Sequence, residues 1–541
     1  MSGARSPKLV SRSTQGPARR CPTNLPPAWS AVAEEGTLLT TSEESHDRRE
    51  SLLDPGSPED WEALRLLAHE MVDEMLRHLR GRRETPAWQP LPCDAEQALS
   101  GPLPRTGEGA EAAYRDFLRW VLPYGLGNTH PRFWGWVNGT GTPLGMLADM
   151  LAAGLNPNVS GFQQAPVLVE RQVIRWLAEA LGYPTGCSGL LVSGGSESVL
   201  VGLAVGRSHA FPEVRAEGLQ GMGAPLVVYT STEAHSSIEK AVETLGIGRK
   251  YLRRVSVVAS DYTMDVRLLA EAVDADTAAG LRPAMVVATA GTVNTGACDD
   301  LARISSVCRQ RRLWLHVDGA FGAWAAASPR LRHRAQGLEL ADSLSFDLHK
   351  WMYLPYDIGC VLVRRGDHQR SAFAATPTYL AQVKRGVAAA SQRPADMGVQ
   401  LSRGFRALKV WLSLKAHGMD AFSSSIERNV DQAQRLAERI AGEERLQLMA
   451  PVPLNVVCFR YLGAPASTTR GLENQVNEEI LVRLQEGGTA VLSSTSLGSC
   501  FCLRAAIVNH RTQHRDLDMV VDEVLRLGDE IVEQRSALSS G

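Results

Sequence analysis

Lys350 stands in the stretch SFDLHKWMYLPYDIGCVLV, between an apolar strand-like run over 341–346 and a second apolar run over 358–363. An ammonium group among apolar neighbours is costly unless it is paired or gives up its proton. A lysine that gives up its proton is a nucleophile, able to form an imine with an aldehyde. The sequence therefore predicts a desolvated, readily deprotonated amine at position 350, with His349 beside it. The alternative is a lysine at a strand end whose head reaches back to solvent. The residues upstream weigh between the two.

Four upstream loops carry suitable chemistry, and each follows a short apolar run. The run 189–193 (GLLVS) leads into Gly194, Gly195, Ser196, Glu197 and Ser198, then a helical segment over 199–206. Two glycines let the backbone approach a ligand, and Ser196 adds a hydroxyl. A helix N-terminus adds free N–H groups and positive dipole, which suits a phosphate. An ordinary capped strand-to-helix turn has the same composition. The run 225–230 leads to His235, which could lie flat against an aromatic ring or simply complete a hydrogen bond at a helix start. The run 284–289 leads to a Gly- and Thr-rich loop containing Thr292, fit to line a pocket or to turn the chain. The run 313–317 (LWLHV) ends at Asp318, just before Ala320. A carboxylate closing an apolar strand needs a cationic partner, such as a protonated ring nitrogen, or a helix to cap. Together these are an anion cradle, a flat imidazole, a carboxylate for a pyridinium and an imine-forming lysine. Pyridoxal 5'-phosphate needs all four: its phosphate anchored, its ring held, its nitrogen kept protonated and its aldehyde held by a lysine.

What must bring these loops together is a sheet. From about residue 140, short apolar runs alternate with helix-sized segments, which predicts an α/β fold with a largely parallel sheet covered by helices on both faces. Such sheets bind ligands beyond the carboxyl ends of their strands, where all these residues fall. The expected organisation is a disordered tail over 1–56, rich in Ser, Arg, Pro, Glu and Gly; a helical segment over 57–140; a large cofactor domain over 141–420; and a small α/β domain over 421–541, reached by a long polar helix over 421–444. Ser57 and Pro58 mark a helix start. Trp61, Leu64, Leu67, Met71, Met75 and Leu79 then follow at helical spacing, as a core or partner-facing stripe.

Composition excludes several functions. The 541 residues carry a net charge of −2 and no long basic run, so nucleic acid is not an expected partner. No apolar run approaches the roughly 18 residues of a membrane span, and the N-terminus lacks the apolar core of a secretory signal. The nine cysteines show no paired spacing except Cys500 and Cys502. That pair shares a strand face and reads as packing rather than as a metal site. A reducing cytoplasm is the expected setting.

The motifs THPRFWGWVNGT (129–140), SGGSES, AHSSIEKA, ATAGT, WLHVDGAFG, HKWMYLPYD, PTYL (377–380), SRGFRALKVW (402–411) and NHRT (509–512) give the chain a clear likeness. It resembles the group II pyridoxal-phosphate-dependent amino-acid decarboxylases, the family of aromatic-L-amino-acid (DOPA) decarboxylase, over about 61–533. The resemblance implies the fold type I architecture of PLP-dependent transferases. It also implies a homodimer whose N-terminal helices clasp the other subunit, with active sites at the subunit interface. It gives Lys350 as the cofactor-holding lysine, Asp318 as the partner of the pyridine nitrogen, Ala320 beneath the ring and His235 stacked on it. Gly195 and Ser196 become the phosphate turn, His349 and Thr292 lie by the cofactor, and Tyr379 is the catalytic-loop tyrosine. The implied reaction turns an L-amino acid into its amine and carbon dioxide, and a tyrosine rather than a phenylalanine at 379 goes with amine rather than aldehyde. Trp136 and Phe162 could hold an aromatic substrate. Asn138, Asn158 and Ser160 make the region more polar, and cations within 403–409 leave an acidic substrate as the second option. An aminotransferase would share the fold, but the HKW and PTYL motifs argue against it.

Overall fold

The computed structural model describes residues 53–375, 385–389, 393–463 and 470–539. The chain forms two compact units, Met1–Glu70 and Met71–Gly541. The described part of the first unit is dominated by the start of the helix Pro58–Gly81. Ser57 caps it, accepting from the Asp60 N–H at 3.2 Å as its sequence predicts. The tail expected over 1–56 lies outside the described residues up to residue 52.

The second unit is built on a seven-stranded sheet. Its strands are β1 (Ser188–Val192), β2 (Leu226–Ser231), β3 (Leu252–Val255), β4 (Arg282–Thr289), β5 (Trp314–Asp318), β6 (Ser343–Asp347) and β7 (Gly359–Val363), in the order β1-β7-β6-β5-β4-β2-β3. Strands β2, β5, β6 and β7 are buried along their whole length. Helices cover both faces, so β2, β5 and β7 read in sequence as largely apolar runs, whereas β6 (SLSFD) alternates although it is equally buried. The exception is β3, an edge strand of sequence LRRV with an exposed arginine, which no apolar pattern marks. Pairing is parallel from β3 through β2, β4 and β5 to β6, whereas β7 runs antiparallel to both β6 and β1. It follows that β1 to β6 all point one way and end along a single edge.

A second sheet is antiparallel, in the order β10-β11-β9-β8, with β8 (Leu446–Leu448), β9 (Val456–Tyr461), β10 (Ser493–Leu497) and β11 (Cys500–Ala506). Helices Arg470–Glu486 and His514–Ser539 pack on it through Ile480, Leu484, Val520 and Val524. The helix expected over 421–444 is longer and less polar than its sequence predicts. It runs Ala407–Ala441, is interrupted at Gly418 (φ 72°), and buries Phe422, Ile426, Val430 and Ala433. Its apolar stripe is real but lies among many charges on the outer face. Among the described residues no helix is long and apolar enough to cross a membrane.

Candidate active site

The common C-terminal edge of the parallel strands gathers the sequence-predicted residues. Gly194, Gly195 and Ser196 follow β1, His235 follows β2, Asp318 closes β5, and His349 and Lys350 follow β6. All of them, with Ala320, Asp347 and Glu197, line one cavity of about 280 Å³. A second cavity of about 190 Å³ shares His235, Asp318, Ala320 and Lys350 and is walled by Trp136, Val137, Val293 and Phe321. Gly139 lets the second wall close in: a Cβ there would stand 2.7 Å from the Lys350 carbonyl oxygen and would overlap that of His349.

Each polar group has a defined state. Asp318 is 3% exposed, and its Oδ1 accepts from the Ala320 N–H at 3.1 Å. Burial raises its proton affinity above the ordinary carboxylate range, against the pull of Lys350 and His235; a cation held against it would keep it ionised. His235 is the N-cap of the helix Ser236–Thr244, its Nδ1 accepting from the Ser237 N–H at 3.1 Å. In the neutral ring that bond places the proton on Nε2. Burial lowers its pKa, partly offset by Asp318. His349 accepts from the Ile358 N–H through Nδ1 and packs against Tyr356 with ring centroids 4.2 Å apart and planes tilted by 32°.

Lys350 corrects one expectation. Desolvation alone would favour the neutral amine, as the sequence predicts. The neighbouring carboxylates reverse this: Nζ lies 2.9 Å from Asp347 Oδ2, and Asp347 with Asp318 holds the lysine above its ordinary pKa.

Other placements refine the sequence reading. Thr292 lines neither cavity; its hydroxyl bonds Thr295 Oγ1 and the Ala297 N–H within its own loop. Tyr379 lies outside the described residues. Phe162 lies outside both linings, whereas Trp136 lines the second cavity together with Lys350. Asn138 Oδ1 accepts from the Tyr356 hydroxyl at 2.9 Å, and Asn158 Oδ1 accepts from the Arg403 N–H. The cations of 403–409 do not form a solvated face and do not reach the cavity. Arg403 is buried in a bidentate pair with Glu170, Lys409 pairs with Asp149 at 3.0 Å, and Arg406 bonds Gln400 and Asp357. No cluster able to hold a metal occurs among the described residues.

Two groups went unmarked. Asp347 carries the same signal as Asp318, a carboxylate ending an apolar strand. Arg504 is an arginine inside the strand CFCLRAA and is 2% exposed. It donates to the Trp136 carbonyl at 2.9 Å and the Asn294 carbonyl at 3.1 Å, and burial lowers its pKa to about 10. It braces Trp136, whose left-handed backbone (φ 53°) is uncommon for a bulky residue.

The residues fit pyridoxal phosphate. The glycine turn opens onto the N-terminus of the helix Gly195–Ala210 and runs close against β6, where a Cβ on Gly195 would stand 2.9 Å from Asp347 Oδ2. A buried carboxylate awaiting a cation and an amine share the same cavity. This sheet with this edge defines a fold type I pyridoxal-phosphate enzyme. Residues 92–462 match the model of the pyridoxal-dependent decarboxylase conserved domain. The chain is 30% identical over 473 residues to an aromatic-L-amino-acid decarboxylase of Bacillus atrophaeus, covering 87% of this chain and 96% of the relative. Oryza sativa TDC, solved with PLP and tryptamine, superposes with a TM-score of 0.82 at 26% identity, over 88% of this chain and 99% of that one. Rhodiola rosea 4-hydroxyphenylacetaldehyde synthase superposes with a TM-score of 0.77 at 26% identity, over 87% and 99%. The chain belongs to the pyridoxal-dependent decarboxylase family and is a PLP-dependent amino-acid decarboxylase.

Proposed function

We propose that the protein decarboxylates an aromatic L-amino acid to its amine, with Lys350, Asp318, His235 and Tyr379 as its catalytic residues. The observation that carries this reading is the single cavity shared by Lys350, Asp318 and His235. Pyridoxal phosphate, when bound, supplies the electron sink for the pair released as carbon dioxide leaves. The residues do the rest. The Gly195–Ser196 turn binds the phosphate with helix N–H groups. Asp318, sealed from water, keeps a proton on the ring nitrogen. His235 presents Nε2–H to the cavity beside Ala320. Lys350 would hold the cofactor's aldehyde between turnovers, and Tyr379 would deliver the proton to the α-carbon, favouring amine.

The aromatic preference is supported by the apolar wall of Trp136, Val137, Val293 and Phe321 and by the name of the Bacillus relative. An acidic substrate would need a free cation, and Arg403 and Lys409 are already paired with carboxylates. A homodimer is supported by apolar side chains left in water on the helix Pro143–Leu155 (Met150, Leu151, Leu155) and on the helix Pro58–Gly81 (Trp61, Leu64, Leu66). A cytoplasmic setting is supported by eight described cysteines that are all unpaired. The activity is tested by incubating holoprotein with an amino-acid panel and assaying carbon dioxide, amine and keto acid. Amine and carbon dioxide from tryptophan, tyrosine or DOPA are expected. Turnover confined to glutamate, aspartate or cysteine sulfinate rejects the preference, and keto acid without carbon dioxide rejects the reaction.

A further inference from the structure

A third cavity, of about 350 Å³, shares no lining residue with the two that contain Lys350. Arg80, Arg82, Arg83, Arg428, Arg511 and His510 line it, and no described aspartate or glutamate does. The chain as a whole carries a net charge of −2, so this concentration of positive charge is local.

The arginines differ in how their charge is met. Arg83 Nη1 lies 2.5 Å from Asp516 Oδ1, a carboxylate already shared with Arg132 at 3.9 Å. Among the described residues, Arg82, Arg428 and Arg511 bond neutral groups only. Arg82 donates to Thr129 Oγ1 at 3.1 Å and to Thr85 Oγ1 at 2.6 Å. Arg428 donates to the His510 carbonyl at 2.9 Å. Arg511 donates to the carbonyls of Thr140 and Gly141 at 3.3 Å and 3.0 Å. Arg82 Nη2 and Arg428 Nη1 have no acceptor among the described residues. Carbonyls and hydroxyls satisfy donors but leave the charge itself unbalanced. The strain shows on the neighbours. Burial, with the charge of Arg82, lowers the pKa of Arg511 to about 10, and burial with the charges of Arg511 and Arg428 lowers that of His510 to about 3.

We propose that this cavity binds a polyvalent oxyanion of the phosphate type, either free phosphate or the phosphate group of a small ester, held by Arg82, Arg428 and Arg511. A planar guanidinium presents its donors as a fork that matches such oxygens, and three unbalanced forks around one cavity favour an anion with more than one charge. The other arginine-bearing cavity, of about 520 Å³, holds Arg175 and Arg370 but has Glu170 and Asp367 in its lining, so its charge is partly balanced. The proposed site also backs the catalytic one. Arg511 holds Thr140 and Gly141 by their carbonyls, and His510 Nδ1 bonds Thr140 Oγ1 at 2.8 Å. One residue earlier, Gly139 closes on the Lys350 carbonyl. The His510 ring meets Tyr353 edge-on, with centroids 5.2 Å apart. An anion among these arginines steadies the backbone behind the lysine.

The test uses cofactor-loaded full-length protein, in which the cofactor's own phosphate is already in place. Inorganic phosphate and glycerol 3-phosphate are titrated calorimetrically at constant ionic strength set with chloride, and melting is followed with and without them. The parent is expected to bind one ion per chain and to melt at a higher temperature in its presence. Arg82→Gln and Arg428→Gln should each weaken binding about tenfold or more, the loss of one charge-assisted contact. Arg428 is exposed on the helix Ala407–Ala441, so its variant keeps the test valid should Arg82→Gln fail to fold. Arg175→Gln should leave binding unchanged. Tighter binding of the ester than of phosphate identifies a phosphorylated small molecule as the ligand, and equal or weaker binding identifies free phosphate; the site stands in both cases. Absence of saturable binding in the parent, or binding that neither Arg82→Gln nor Arg428→Gln weakens, overturns the proposal. A loss confined to Arg175→Gln places the ion in the other cavity and overturns it equally.

Discussion

A carboxylate at the end of a buried strand must meet a cation, and this cavity contains two such carboxylates. Asp347 has its cation in Lys350. Among the described residues the Asp318 carboxylate accepts only from the Ala320 N–H, which suits the role proposed for it beside the cofactor's ring nitrogen. Asp318→Ala should therefore lower kcat by on the order of 10²–10³ with little change in KM, since the charge it stabilises develops mainly in the transition state. Steady-state kinetics with saturating cofactor reads the split; an unchanged kcat would remove Asp318 from the chemistry. At this scale Lys350 and Asp318 are legible as polar residues that interrupt or close an apolar run, whereas His235 is legible only from its place in the loop after such a run. Asp347 carried the same mark. Sequence does not show that its side chain and that of Lys350, three residues on, meet. For the same reason the sequence could not give the charge state of Lys350: desolvation is visible in a run of apolar letters, and a counter-ion is not.

The parallel strands place their C-terminal residues along one edge, so short loops suffice to build the site. Most strands buried on both faces are legible as apolar runs; β6 (SLSFD) alternates although buried, and β3 has no such run because an exposed edge strand has no need of one. Thr292 shows the limit of reading loops: its loop does border the second cavity, through Gly291 and Val293, but its own hydroxyl closes the turn. The helix Pro143–Leu155 leaves Met150, Leu151 and Leu155 more than half exposed, an apolar face suited to a second copy of the chain. Leu151→Glu with Leu155→Glu should weaken dimerisation at least about 100-fold, since burying each leucine contributes roughly 1.5–3 kcal/mol. Sedimentation equilibrium reads the effect, and a double variant as dimeric as the parent would take this face out of the interface.

Across the whole molecule, the second sheet is tied to the site by braces such as Arg504, which links β11 to the Trp136 backbone and the Asn294 turn. Long-range contacts of this kind, between residues 368 positions apart, leave no local pattern in a sequence. The cofactor edge is more robust because a parallel sheet fixes its geometry by topology. The account stands or falls on that edge being where the cofactor is captured. Borohydride reduction of the holoprotein, followed by digestion and mass spectrometry, tests this directly. A phosphopyridoxyl adduct on the peptide containing Lys350, absent from Lys350→Ala, is the predicted result; an adduct on a different lysine, or one that survives in Lys350→Ala, contradicts it.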